Sequence, residues 1–416
     1  MKKKSFLLTG ACFAGNMGGD AMYESVIAGI RADNPEHRIV VLTKYPKDEI
    51  PICKERGYEV YSFTTIERAW KGVPFSVFGT LLKKCHLPYR WIAGKALSQY
   101  FQCDVLIDCS GISFTDFRSR LDLFINTSWL IPAFVTGIPI IKMSQSLGPY
   151  EHKYVKKAAL RCFPKIDYII ARGADSYECT KHLIPDHPGL LNFPDLAFNL
   201  PAAPEGKRRQ ILTEAGALEC VDSPYFVAAP SFEVDRRMGS EAYRNLFTAV
   251  VKAAHKICPD MPVVMLAHTR ALSAAAGVDS SNDDMVVCRA VAELLSREGI
   301  SVRLIEKDYY SRELKAVVSG ACFALGSRYH FLMAAMSTAT PSLAMGWGHK
   351  YKEMFQELDF EEFAFEYHDF KEDILCEKVE DLASNYGKYK EWISERLPDV
   401  KARSAKQIAL ALELAK

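Results

Sequence analysis

Gly326-Ser327-Arg328-Tyr329-His330-Phe331-Leu332-Met333-Ala334-Ala335-Met336, closed by Thr340-Pro341-Ser342-Leu343-Ala344-Met345-Gly346-Trp347-Gly348-His349-Lys350, is the stretch that decides the fold. The apolar run Ala321-Cys322-Phe323-Ala324-Leu325 before it has the character of a buried parallel strand, and residues 331–338 that of a packed helix. Arg328 and His330 therefore stand at a strand-to-helix corner. In an open parallel sheet such corners line the ligand crevice, where free N–H groups and the helix dipole favour anions. Arg328 adds a fork of donors suited to carboxylate or phosphate, and His330 a group that moves a proton near neutral pH. Lys350 follows the glycine-rich exit of the next strand.

Outward from this corner the same grammar repeats. Apolar runs at 6–9, 38–43, 59–63, 105–109, 139–144 and 168–171 are separated by segments long enough for crossover helices, which predicts a parallel sheet covered on both faces. In the first crossover, Met22, Val26, Ile27 and Ile30 share one helical face, and Asp20 is placed to cap its start. Prolines gather from Pro194 to Pro204 and mark the passage to a second alternation, with strands at 225–230, 262–267, 302–305, 321–325 and 342–345. Helices are expected at 241–256, 284–297, 312–318 and 331–338. The expected division is a first Rossmann-like domain over 1–200, a second over 201–385, and helices at 386–416 that pack back across the first.

The chain's 416 residues, 49% hydrophobic and 25% charged, suffice for two full cores. A formal net charge of +1 gives no case for nucleic acid or an anionic membrane as the main partner, and leaves room for a local basic pocket. The 12 cysteines include no C-x-x-C pair, which points to buried reduced thiols of a cytoplasmic protein. Met1-Lys2-Lys3-Lys4 with Phe6-Leu7-Leu8 imitates a signal peptide, but the apolar run is short and reads as a first strand. The long apolar region 121–141 is broken by Asn126, Pro132, Gly137 and Pro139, so no transmembrane segment is expected.

Three other groups carry chemistry. Gly15-Asn16-Met17-Gly18-Gly19-Asp20 follows the first strand and is neither a Walker loop nor a dinucleotide fingerprint; a tight turn and a ligand loop both fit it. Arg172, at the end of the 168–171 strand, faces the crevice from the first half. A surface or interdomain ion pair is one reading of Arg172; with Arg328 across the cleft and no partnering acid in either motif, the two guanidinium groups are expected to meet over a shared anion. Ser231-Phe232-Glu233, His268-Thr269-Arg270 and Asn282-Asp283-Asp284 fall at the same edge of the second sheet. The spacing of His268, Asp283 and Asp284 matches no compact ligand motif, so caps and polar contacts are expected there and no metal.

Taken in order, Gly15-Asn16 to Asp20, Asp108 to Gly111, Ser144-Gln145-Ser146-Leu147-Gly148-Pro149, Ala171-Arg172 to Ser176 and Pro194-Asp195-Leu196-Ala197-Phe198 resemble the motifs of the polysaccharide pyruvyl transferase family. The series continues through Tyr309-Tyr310-Ser311-Arg312-Glu313-Leu314, Gly326 to His330 and Lys350, over roughly residues 5 to 360. The first loop has an extra glycine before its acid, and Asp108-Cys109-Ser110-Gly111 stands where a glycine triplet is commoner. The resemblance implies two facing Rossmann-like domains similar to B-type glycosyltransferases. It implies phosphoenolpyruvate as co-substrate without a resident cofactor, and a sugar or lipid-linked glycan as acceptor of a pyruvate ketal.

On that reading Arg172, Arg328, Tyr329, His330 and Lys350 hold the donor, and protonated His330 is the acid. Asp116 and Glu233 are the candidates for the base. Gly15, Asn16, Asp20, Ser110, His268 and Arg270 fall to the acceptor side. A lipid-linked acceptor would bring the protein to the inner face of the membrane. The alternatives are a B-type glycosyltransferase using a nucleotide sugar, and a non-catalytic member that binds glycan.

Overall fold

The computed structural model describes residues 3–88, 90–270 and 282–415. Two wholly parallel sheets organise them. The first contains β1 (Ser5–Thr9), β2 (Arg38–Thr43), β3 (Glu59–Ser62), β4 (Val105–Asp108), β5 (Ile112–Thr115), β6 (Ile140–Gly148), β7 (Tyr168–Ala171) and β8 (Leu190–Asn192). Its order is β3-β2-β1-β4-β6-β7-β8, with β5 paired to β6. The second contains β9 (Phe226–Ala229), β10 (Val263–Leu266), β11 (Val302–Ile305), β12 (Ala324–Gly326), β13 (Ser342–Gly346) and β14 (Ala364–Glu366), in the order β11-β10-β9-β12-β13-β14.

Both orders reverse direction after their first strand. The crevices between β1 and β4, and between β9 and β12, are thus the switch points at which doubly wound sheets bind ligands. Central strands such as Phe226-Val227-Ala228-Ala229 are buried on both faces, because crossover helices cover each side. The helix Met17–Asp33 buries Met22, Val26, Ile27 and Ile30, and only its last turn, with Arg31 and Asp33, is exposed.

Three short strands lie outside the sequence expectation. β5, β8 and β14 have three or four residues each, and β14 is only half-buried, so none produces an apolar run. The end of the chain differs too. In place of two helices there is one, Glu372–Leu414, bent where Asn385 leaves helical geometry and continuing through Pro398. Burial explains its continuity: Leu375, Val379, Leu382 and Ile393 join the core of the second sheet, and Ala411 joins that of the first. Gln407 fastens this last part, accepting from Ser144 N (2.8 Å) and donating to Pro194 O (2.8 Å).

Among the described residues no helix is long and apolar enough to cross a membrane. Cys103, Cys109 and Cys288 are buried thiols, while Cys162 and Cys322 are half-buried.

Candidate functional site

At the end of β12 the chain turns sharply, and Gly326 allows it, since a Cβ there would overlap the Phe331 ring. Ser327 is fixed from both sides: Tyr243 donates to its hydroxyl (2.7 Å) and Tyr351 to its carbonyl (2.9 Å). Arg328 then reaches sideways. Its Nε and NH2 groups donate to Asp284 (2.6–3.0 Å), and NH2 also to Asn282 (2.6 Å). Asp284 is fully buried and accepts in addition from Phe232 N (2.9 Å) and Thr269 N (2.8 Å). The Arg328–Asp284 pair thus ties together the loops that leave β9, β10 and β12.

Arg172, after β7, is buried and salt-bridged to Asp195, itself fully buried. Its NH2 group donates to Ser146 Oγ (2.9 Å) and Gly111 O (3.3 Å), and Nε has no partner. The expectation of two acid-free guanidinium groups sharing an anion is therefore overturned. Each arginine has its own carboxylate, because an unpaired buried charge is too costly to keep in a folded core. What crosses between the sheets is an aromatic contact instead: the Arg172 guanidinium lies 4.4 Å from the centroid of Tyr329.

Lys350 has no carboxylate within ion-pair distance among the described residues. Its ammonium sits over three rings, 3.9 Å from Trp347, 5.4 Å from Tyr329 and 5.6 Å from Tyr351. Burial, then the cations of Arg172, Arg118 and Arg328, hold its pKa well below the usual lysine value, while Glu233 opposes them. Arg172, Asp195, Tyr329, Lys350 and Glu353 enclose a cavity of about 10 Å³, room for roughly one water molecule. Its rim is tight. Gly173 has a φ of +89°, and a Cβ there would overlap the Glu353 carboxylate, which accepts from Asp175 N at 3.0 Å. A larger ligand enters only if this seam parts.

His330 is half-buried, with Nε2 unpartnered and 4.0 Å from Asp195 Oδ2. Its other side lies against Gly18 in the first turn of the Met17–Asp33 helix, where any Cβ would collide with the imidazole. Burial lowers its pKa from 6.5 to about 4; Asp195 resists and Arg172 and Lys350 assist. In this state, without a ligand, the imidazole is neutral at pH 7. A stability profile follows. Below pH 6.5 the unfolded chain takes up a proton that the folded chain refuses, so stability falls between pH 6.5 and 4. The expected loss is about 3 kcal/mol. His268, lowered well below its usual value chiefly by burial, adds with the same sign. Urea unfolding at pH 7 and pH 4.5 checks this, and the loss should shrink in His330→Gln.

The remaining expected site residues have definite places. Asp20 does not cap its own helix; Asn16 does, accepting from Gly18 N at 2.9 Å. Asp20 is fully buried, salt-bridged to Arg56 (2.6 Å), and accepts from Ser311 N (2.8 Å) at the start of the Ser311–Ser319 helix. Its oxygens are filled, so it is not an acceptor contact. Gly15 O accepts from Arg270 N (3.1 Å), and Asn16 bridges to Thr269, so the glycine loop meets the second sheet's loops.

Ser110 donates to Asp108 (2.6 Å), which also holds buried Lys142. Arg270 faces Asp283 (3.5 Å) and Asp308 (3.3 Å). Asp283 accepts from Met285 N (2.9 Å) and caps its helix. Asp116 is corrected as a base: its two oxygens accept from Glu151 N (2.8 Å) and His152 N (3.0 Å), with His152 Nδ1 3.1 Å away, and so fix that turn. Glu233 pairs with Arg236 (3.1 Å) and Arg237 (2.7 Å), and its charge is felt at Lys350 and Arg328.

Sequence reasoning missed Asp195, Arg118 and Glu353. Asp195 lies within Pro194-Asp195-Leu196-Ala197-Phe198, which the sequence marks both as a passage between domains and as a motif of the family resemblance, with no role for Asp195 itself. Arg118 is exposed and is felt as a cation at Lys350; Phe117 beside it brings its ring 6.4 Å from that of His349. Glu353 lies one helical turn past Lys350, and burial raises its carboxyl above the usual range. Asp175, His349 and Glu353 also bring ligand-type atoms within 4.8 Å of one another, an arrangement of the kind that binds cations.

Comparison with known proteins adds the following. The family model described as polysaccharide pyruvyl transferase matches residues 16–349. The amylovoran biosynthesis protein AmsJ of Erwinia amylovora is 20% identical over 399 residues, covering 91% of this chain and 92% of that protein. Among solved structures, UDP-GlcNAc 2-epimerase from Neisseria meningitidis bound to UDP-GlcNAc superposes with a TM-score of 0.57 at 14% identity, covering 99% of this chain and 100% of that one. Anabaena Alr3699/HepE in complex with UDP and glucose gives 0.59 at 12% identity with the same coverage. These two likenesses concern the fold, which is that of B-type glycosyltransferases.

Proposed function

The chain belongs to the polysaccharide pyruvyl transferase family, and from that premise we propose that it moves the pyruvate unit of phosphoenolpyruvate onto two hydroxyls of a sugar. The product is a ketal in an extracellular polysaccharide or its precursor, and phosphate is released. Similarity to a protein of amylovoran biosynthesis supports the polysaccharide setting. No resident cofactor enters the proposal.

The observation that carries it is Lys350, an amine with no carboxylate within ion-pair distance among the described residues, set between aromatic rings and neighbouring cations on the wall of a small cavity. Such crowding is unfavourable in the empty site, and a small ligand with both carboxylate and phosphate reverses it. With the seam open, Lys350 and Arg118 hold the two acidic groups, while the unpartnered Nε of Arg172 offers a further donor. Tyr329 keeps the Arg172 plane in place.

The chemistry then balances as follows. One sugar hydroxyl adds to the enol carbon and the methylene carbon takes a proton. Phosphate leaves with the carbon–oxygen bond pair, and the second hydroxyl captures the oxocarbenium-like centre. Of the two hydroxyl protons, one ends in the new methyl group and the other on phosphate. His330, neutral in the empty site, gains its proton when the anion arrives and passes it on as acid. Glu353, which lines the cavity, takes over the base role from Asp116, with Glu233 as the second carboxylate. The loops of the first sheet form the acceptor side.

Thermal-shift titration tests the donor. Phosphoenolpyruvate should raise the melting temperature, more at pH 6 than at pH 8 because binding draws a proton onto His330. A uridine diphosphate sugar should not. With a glycan acceptor added, mass spectrometry should find an acid-labile pyruvate adduct with equimolar phosphate. Stabilisation by the nucleotide sugar alone would give the site to a glycosyltransferase.

A further inference from the structure

The first lobe carries a face that the transfer reaction leaves unused. The helix Val73–Lys84 turns its apolar side outward: Val77, Phe78 and Leu81 are 46%, 53% and 54% exposed. Trp70, in the turn before it, is 80% exposed and Ile66 74%. Inward, the same segment presents Gly72 to Phe63 and Pro132, and Gly79 to Phe101. The buried Arg68 stacks 3.5 Å over Trp129. Phe75 of this helix packs on the core, so the segment is apolar on both sides, whereas an ordinary surface helix has a single apolar stripe and buries it. Five large apolar side chains in one short segment exceed the scattered exposure that soluble surfaces normally show.

The face continues toward the candidate site. The Val73–Lys84 helix packs on the helix Arg120–Thr136, with Thr80 donating to Val135 O at 3.4 Å. At the start of that second helix Leu121 is 64% exposed and Phe124 41%, and Phe117 just before it is 72% exposed. Phe117 is the residue whose ring approaches His349, next to Lys350.

Charge is distributed to match. Residues 65–97 contain Arg68, Lys71, Lys83, Lys84, Arg90 and Lys95 against Glu67 alone, although the whole chain carries only +1. Lys71, Lys83, Lys84 and Lys95 are exposed, as are Arg118 and Arg120 nearer the site. The net figure hid this asymmetry. An apolar face rimmed by lysines fits a surface that offers hydrocarbon behind a layer of negative charge.

We propose that this face adsorbs to an anionic lipid bilayer, with Trp70, Phe78 and Leu81 in the headgroup boundary and the lysines on the lipid phosphates. The position of the site beside the membrane rests on the transferase reading; the adsorption does not.

Flotation of the full chain with vesicles tests it in the absence of donor and acceptor. Binding to phosphatidylglycerol-containing vesicles is expected, and about tenfold weaker binding to phosphatidylcholine vesicles or in roughly 0.5 M salt. The combined variant Trp70→Ser, Phe78→Ser, Leu81→Ser should lose about tenfold or more while keeping its unfolding midpoint and its thermal response to phosphoenolpyruvate. Absence of binding to anionic vesicles, or equal binding by the variant, overturns the proposal. So does light scattering that shows a dimer which the variant dissolves, since the face would then belong to a second copy. Loss of the phosphoenolpyruvate response with vesicle binding intact would count against the transferase reading alone.

Discussion

Replacing Lys350 by methionine is expected to abolish transfer and to raise the melting temperature of the empty protein. Most active-site losses leave an orphaned partner behind, but among the described residues Lys350 has no carboxylate to orphan. Methionine keeps the contacts with Trp347, Tyr329 and Tyr351 and removes a charge that burial, Arg172, Arg118 and Arg328 all disfavour. Donor binding should suffer in proportion. A charged hydrogen bond of about 1.5–3 kcal/mol corresponds to roughly ten- to a hundred-fold or more in donor efficiency. Melting curves with and without phosphoenolpyruvate read both effects: the variant starts higher and does not move on adding the donor. A variant that melts lower, or still responds, would refute the assignment of Lys350 to the anion. Strain of this kind, held in the free state and relieved by the ligand, is a common origin of stability traded for activity.

The second large effect concerns Arg172 and Asp195, and it is an effect on folding as much as on transfer. Either Arg172→Met or Asp195→Asn leaves the other charge buried without its counter-ion, at an expected cost of about 3–5 kcal/mol. Asp195 Oδ1 also accepts from Ala197 N (2.9 Å). Asparagine can preserve that bond, so the measured loss reports the ion pair. The double variant should be more stable than the sum of the single changes, because the groups are in direct contact. Urea unfolding of all four proteins measures the coupling; strict additivity would show that the ion pair does not contribute to stability. An alanine scan that assumed Arg172 to be dispensable for folding would misread the resulting loss of activity as catalysis.

What the sequence revealed and what it concealed divide along chain distance. β2, β7, β11 and the helix Asp284–Arg297 have the ends that their own apolar pattern and caps dictate, since those signals are local. The strand-to-helix corners at Arg172 and Arg328 were legible for the same reason. Their partners were not, because Asp195 and Asp284 stand 23 and 44 residues away, and no periodicity reports which buried acid a guanidinium will find. Asp20 misled for a related reason. Its place near a helix start suggests a cap, yet it is Asn16 that caps, and Asp20 instead receives a backbone N–H from a residue 291 positions later. The neutral state of His330 was equally out of reach, since it depends on the packing of Gly18 against the ring.

That long-range bond fixes how the molecule can gape. Asp20 holds the first N–H of a helix of the opposite half, Asn16 is paired with Thr269, and Gly18 is wedged on His330, so the loop after β1 is tied to the second sheet's half. Three strands farther along the same sheet, at β7, the halves meet through Gly173 and Asp175 against Glu353 and through Arg172 against Tyr329. A ligand that parts Gly173 from Glu353 while the contacts of the first glycine loop persist would open the halves like a jaw, widest at Arg172 and Lys350.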